Sequence, residues 1–107
     1  MPHDYNYKKL PEHIRDSVQR YIEQGAPPGD FLTAVIRNDL KESFGRADDI
    51  NIARMFDIVD FFYNEAPLEC WGSPEEMEKW IKDGGVDGII QARRSLSRKN
   101  LPQKKPA

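Results

Sequence analysis

DINIARMFDIVDFFYNEA, residues Asp49 to Ala66, decides what kind of molecule this chain makes. Asp48 or Asp49 suits a helix N-cap, because a short carboxylate accepts backbone N–H groups that the first turn leaves unpaired. Behind the cap, Ile52, Met55, Phe56, Val59, Phe62 and Tyr63 recur at helical spacing, and Ile58 and Phe61 widen the stripe. The run predicts a helix over about 49–64 that is apolar around most of its circumference. Such a helix belongs at the centre of a helical globule, so Phe56 and Phe62 are expected inside, together with Trp71 and Trp80.

Working outward, the flanking stretches carry the same period. Pro11 suits a first helical turn, since its missing N–H has no partner there anyway, and Ile14, Val18, Tyr21 and Ile22 follow until Gly25, predicting a helix over about 11–24. GAPPGD (25–30) forces a turn, because each proline fixes its own φ and pushes the preceding residue out of the helical region. From Pro28 the stripe Leu32, Val35, Ile36, Leu40 and Phe44 predicts a second helix over about 28–44, with Asp30 at its positive end and Gly45 as its stop. Ser73, Pro74 and Glu76 have the spacing of a capping box, so a fourth helix runs over about 74–83 with Met77, Trp80 and Ile81 facing inward. Cys70 and Trp71 lie just ahead of that cap, placed to seal the seam between the third and fourth helices. GGVDG (84–88) interrupts the pattern, and Ile89, Ile90, Ala92 and Leu96 then form a weak stripe, giving a fifth helix over about 86–98 before KNLPQKKPA (99–107), read as a disordered end. No repeat and no alternating segment of strand length occurs. The class is all-α: a compact bundle of four helices, a weaker fifth and a basic C-terminus.

A chain of 107 residues has room for one core. The expected organisation is an N-terminal arm (1–10), a helical domain (11–84) and a basic C-terminal helix and tail (85–107). Residues 1–88 carry ten Lys or Arg against all eighteen Asp and Glu, a net of −8, whereas residues 89–107 carry six cations and no acid, a net of +6. Apolar runs are far shorter than the ~20 residues of a membrane span, and MPHDYNYKKLPEH (1–13) lacks the apolar segment of a secretory signal. A single cysteine leaves no internal disulfide to form, which fits a reducing cytoplasm.

LPEHIRDSVQRYIEQGAPPGDFLTAVIRNDLKESFGRADD (10–49), followed by YNEAP (63–67) and CWGSPE (70–75), resembles small proteins of unassigned function carried in bacteriophage and prophage genomes. The likeness spans about residues 10 to 81. It implies a phage origin and the cytoplasm of a bacterial host, and it brings no catalytic residues with it. The stretch after Gly88 lies outside it.

Each cluster that carries chemistry has a structural counterpart. Cys70 as a nucleophile needs a base and a lowered pKa, and its candidate bases, His3 and His13, sit in the N-terminal arm and the first turn of helix 1. A buried or half-buried structural thiol is the expectation, and zinc would want more thiolates or imidazoles than the chain owns. Asp57 and Asp60, with Asn64, form a polar stripe that reads as the exposed edge of the third helix, paired with Arg37, Arg46 or Arg54, rather than as a Mg²⁺ or acid–base pair. GAPPGD leads into a helix but lacks the Lys and Ser/Thr of a phosphate loop. No cofactor and no metal site is expected.

The leading expectation is a non-enzymatic phage or prophage protein that binds a host or phage protein and modulates it, inhibition of a host defence system being one use. Tyr63, Glu65, Trp71, Asp57 and Asp60 are the candidate contact residues, and Tyr5 and Tyr7 would join Tyr63 and Trp71 at one end of the bundle. Core packing accounts for Tyr63 and Trp71 equally well. The alternative is a nucleic-acid-associated accessory protein whose Arg93, Arg94, Arg98, Lys99, Lys104 and Lys105 neutralise phosphates. Four short helices with aromatic residues to spare also suit a homodimer that completes its core across a two-fold axis.

Overall fold

The computed structural model describes residues 5–99, and every regular element among them is helical. A 3-10 turn at Tyr7–Lys9 leads into α1 (Glu12–Gln24), α2 (Asp30–Ile36), α3 (Leu40–Gly45), α4 (Asp49–Ala53) and α5 (Met55–Asn64). A second 3-10 turn, Leu68–Cys70, precedes α6 (Pro74–Asp83) and α7 (Gly85–Lys99). No helix among the described residues is long and apolar enough to cross a membrane.

α6 follows the expected grammar, and α1 does so except at its start, where Pro11 at ψ 140° is the residue before the helix and not its first turn. Ile14, Val18, Tyr21 and Ile22 are buried, and Gly25 closes α1 in the left-handed conformation at φ 72°. The Ser73 hydroxyl accepts the Glu76 N–H at 3.1 Å, Pro74 occupies the first turn, and Gly84 closes α6 at φ 82°. α6 docks on α1 through Trp80, whose indole N–H donates to the carbonyls of Tyr21 and Ile22 at 3.1 and 3.2 Å. Both lie in the last turn of α1; the Tyr21 carbonyl also accepts the Gly25 N–H, and the Ile22 carbonyl is one that helix ends leave for other partners.

Two single helices expected from periodicity are each divided. The stretch 28–44 holds α2 and α3, because Asn38 adopts φ 63° and the Asp39 carboxylate then accepts the Glu42 N–H at 3.2 Å to start a new helix. Asn tolerates that left-handed geometry better than other non-glycine residues. Turning the chain there carries Leu40 and Phe44 off the inward stripe, and both are exposed. The stretch 49–64 holds α4 and α5, capped by Asp48 on the Asn51 N–H at 2.7 Å and broken at Arg54, φ −108° and ψ 17°. The break falls where the Arg54 guanidinium donates to Asp57 at 2.6 Å and to the Lys9 carbonyl at 2.9 Å.

α5 is central, as expected, but its inward face is not the one first drawn. Met55, Ile58, Phe61 and Phe62 are buried, while Phe56 and Tyr63 are 79% and 76% exposed and Ile52 and Val59 also reach solvent. The helix is apolar on two adjacent stripes, and periodicity alone does not choose between them. Partners do: Tyr7 packs on Phe61 with centroids 5.5 Å apart, and Trp71 packs on Phe62 at 5.6 Å.

The interruption read across GGVDG is confined to Gly84, which closes α6, and Gly85 already begins α7. A Cβ on Gly85, at φ 68°, would sit 2.6 Å from the Gly25 backbone nitrogen, and one on Gly88 would overlap the Asp83 carbonyl. The glycines let the α6–α7 corner press against the end of α1. Val86 and Ile89 join the core from there, whereas residues 91–96 are all exposed.

Candidate functional site

The carboxylates of α5 are occupied by the chain itself. Lys9 reaches Asp60 at 3.0 Å and Glu65 at 3.4 Å, and Asn64 donates to Asp60 at 2.6 Å. Lys9 foremost, with Asn64, holds the Asp60 carboxyl below its ordinary value, and the Lys9 ammonium is raised in return, chiefly by Asp60. Asp57 takes Arg54. Asp57 and Asp60 thus form two separate ion pairs that fasten the N-terminal segment to α5, and no group of three or more metal-ligating side chains occurs among the described residues. Of the expected partners Arg37, Arg46 and Arg54, only Arg54 is used; Arg46 pairs with Glu42 and Asp30. Lys9 was invisible to local pattern, since the contact spans most of the domain.

Cys70 is fully buried beneath the second 3-10 turn. Burial first, then the nearby Glu69, pushes its thiol up to about 12, so the thiolate needed for attack is not formed at neutral pH. The Tyr21 hydroxyl donates to the Cys70 carbonyl at 2.7 Å. His13 pairs instead with Asp48 at 3.0 Å on the exposed side of α1, and His3 lies outside the described residues. Tyr5, Tyr7, Phe61, Phe62 and Trp71 form a continuous chain of ring contacts. Tyr63 is not in it: the tyrosines of the N-terminal segment join Trp71 through the core, and Tyr63 points the other way.

Tyr63 belongs to a different surface. Phe56, Val59 and Tyr63, spaced three and four apart, stand on one side of α5 with Ile52 of α4 next in line. Beside them a groove of about 130 Å³ runs between α3 and α5, walled by Leu40 and Val59 and floored by Val35, Met55 and half-buried Trp71. Leu40 is 72% exposed, and Phe44 follows one turn later. Isolated surface hydrophobics are ordinary, but a connected set of this size is not. A helix with more apolar residues than one buried face requires is the signal that could have shown it.

GAPPGD wraps from α1 to α2 as a turn, its Gly25 committed to the close approach on Gly85. On the other side of the molecule a cleft of about 620 Å³ lies between Pro67, α6 and α7, with Trp80 and Ile90 on its floor and Glu69, Glu76 and Arg93 at its rim. Its volume suits a small ligand, and Lys79 and Asp83 of its lining pair with each other at 2.9 Å. Arg93 and Arg94 are exposed and form no ion pair with a described residue. The backbones of Arg98 and Lys99 continue α7, while Lys104 and Lys105 lie outside the described residues.

No protein-family model matches the chain. No curated protein and no solved structure matches it significantly.

Proposed function

We propose that this chain acts without catalysis, as a small helical domain that holds another polypeptide against its α3–α5 face. The observation that carries this is the exposed stripe of Phe56, Val59 and Tyr63 on α5, with Leu40 across the groove from Val59 and Phe44 one turn beyond Leu40. Of the residues first singled out, Tyr63 and Trp71 contribute to this face, and Asp57, Asp60 and Glu65 set its polar edge while bound to Arg54 and Lys9. The resemblance to phage and prophage proteins directs the search for the polypeptide to host or phage proteins, defence systems among them.

The test is capture from bacterial lysate by tagged full-length protein beside its Phe56→Asp variant. Phe56 makes so little contact within the chain that the variant keeps its helical circular dichroism. A stoichiometric protein retained by the wild type and lost with the variant is the expected result. Equal retention by both removes the face as the site of a retained protein, and no retention at low and moderate salt leaves a second copy of the chain as the only polypeptide for it to hold.

Nucleic-acid contact through α7 is favoured by one observation, the exposed Arg93 and Arg94, which pair with no carboxylate among the described residues. It requires a mobility shift at low salt that weakens steeply as salt rises and is reduced by Arg93→Glu together with Arg94→Glu.

A further inference from the structure

We propose that the occupant of the α3–α5 face is a second copy of this chain, with the two α5 helices packed antiparallel about a two-fold axis at Val59. The pairing rests on that face being a protein-contact surface, and it goes further by naming the partner and the register.

Three features point to self-pairing. The stripe is nearly palindromic: Phe56 and Tyr63 stand three and four residues to either side of Val59. An antiparallel partner therefore places each Phe56 ring against the other copy's Tyr63, with the smaller Val59 at the crossing, where helices approach most closely. Aromatic pairs of this kind add directional attraction to the area they bury. The second feature is charge. A two-fold axis at Val59 sets a charge beside it, such as Asp60, near its own image and brings the other acids of the stripe close by, which is tolerable only where those charges are already neutralised. Asp57 and Asp60, the acids flanking the stripe, each have an internal cation, Arg54 and Lys9.

The third feature is size. Phe44, Phe56 and Tyr63 each expose a large part of the ~150–250 Å² that an aromatic side chain has to bury, and Leu40, Ile52 and Val59 add to it. That approaches the ~800 Å² per partner of an ordinary stable interface. The groove between Leu40 and Val59 continues the same surface and gives the partner's aromatic rings a place to enter.

Sedimentation equilibrium or light scattering of the full chain between about 1 and 100 µM, the range in which interfaces of this size begin to dissociate, reads the outcome directly. The expected mass is twice the 12.4 kDa of one chain. Phe56→Asp and, separately, Tyr63→Asp are expected to raise the dissociation constant at least about 30-fold while helical circular dichroism stays unchanged. Val59→Cys adds a register test: with Cys70 buried, a mild oxidant should link two chains through position 59, and a cysteine placed at Gln19, on the far side of α1, should not link them.

A wild type that stays monomeric across that range overturns the proposal, as does a dimer indifferent to both aspartates or one that does not cross-link at 59. A monomer that still captures a lysate protein through Phe56 overturns self-pairing alone and leaves the face as a protein-contact surface. Substitution of Phe56 that alters neither self-association nor capture overturns both.

Discussion

Tyr21 and Asn51 are both buried, and they stand at opposite ends of hydrogen-bond satisfaction. Tyr21 donates to the Cys70 carbonyl, whereas the Asn51 side-chain oxygen is buried with no partner among the described residues. Tyr21→Phe leaves that carbonyl unpaired and is expected to cost about 1–3 kcal/mol in urea unfolding. Asn51→Ala removes an unsatisfied acceptor and improves helix propensity, so its expected effect lies between neutral and about 0.5 kcal/mol stabilising. Cys70 links the same neighbourhood to pH. Its folded pKa is raised from an ordinary 9.0 to about 12, so the folded chain keeps a proton that the unfolded chain releases above about 9. The contribution is therefore whole below that pH and is lost as pH climbs toward 12. Burial raises Tyr7 and Tyr21 in the same direction. Alkaline titration followed by circular dichroism should show stability falling over that window, less steeply in Cys70→Ala. A thiol reagent at neutral pH should label Cys70 only once denaturant is added.

Among the elements, the α6–α7 corner offers the sharpest test, because its geometry depends on a missing side chain. Gly85→Ala combines a left-handed φ with a Cβ 2.6 Å from the backbone of α1, and is expected to cost about 2–4 kcal/mol, roughly the sum of backbone strain and overpacking. At the α2–α3 corner, Asn38→Gly should be nearly neutral and Asn38→Ala should cost about 1 kcal/mol or more, measured by the same unfolding. These corners also show how far a sequence can be read. α6 was legible end to end, since Ser73, Pro74 and Gly84 each perform a local task that residue type specifies, while Glu76 enters the cap through its backbone N–H. The α2–α3 division was written in Asn38 and Asp39, but the apolar period running through them masked it. α5 was legible as central and illegible in rotation: two apolar stripes compete on it, and the rings that select one, Tyr7 and Trp71, come from distant segments. The candidate face was hidden for the same reason, because residues assigned to the core became the surface.

At the scale of the whole molecule, burial is uneven along the chain. The main core draws on Leu10, α1, α2, α5, Cys70 and α6, with Val86 and Ile89 of α7 packed against it. Between residues 37 and 54 only Ser43 and Asn51 are buried, and no apolar side chain is. Apolar burial is the main term opposing chain entropy, at about 1.5–3 kcal/mol for each large side chain removed from water. α3 and α4 are therefore held by polar contacts, the caps Asp39 and Asp48 and the surface pairs Arg46–Asp30 and His13–Asp48, rather than by apolar burial, and should open locally at a small fraction of the free energy of global unfolding. Hydrogen exchange on the Phe56→Asp variant, whose face stays in water, reads this intrinsic gradient. Amides of residues 40–53 are expected to exchange at least about 100-fold faster than those in the middle of α1, α5 and α6, a gap of the size separating sub-global from global opening. In the wild type, pairing through α5 should raise protection across α3 as concentration increases, because Leu40 lies on the covered surface. Uniform protection in the variant would mean that caps and surface ion pairs hold α3 and α4 as firmly as the core holds α1, and the division of the molecule into a firm centre and a loosely held contact edge would have to be given up.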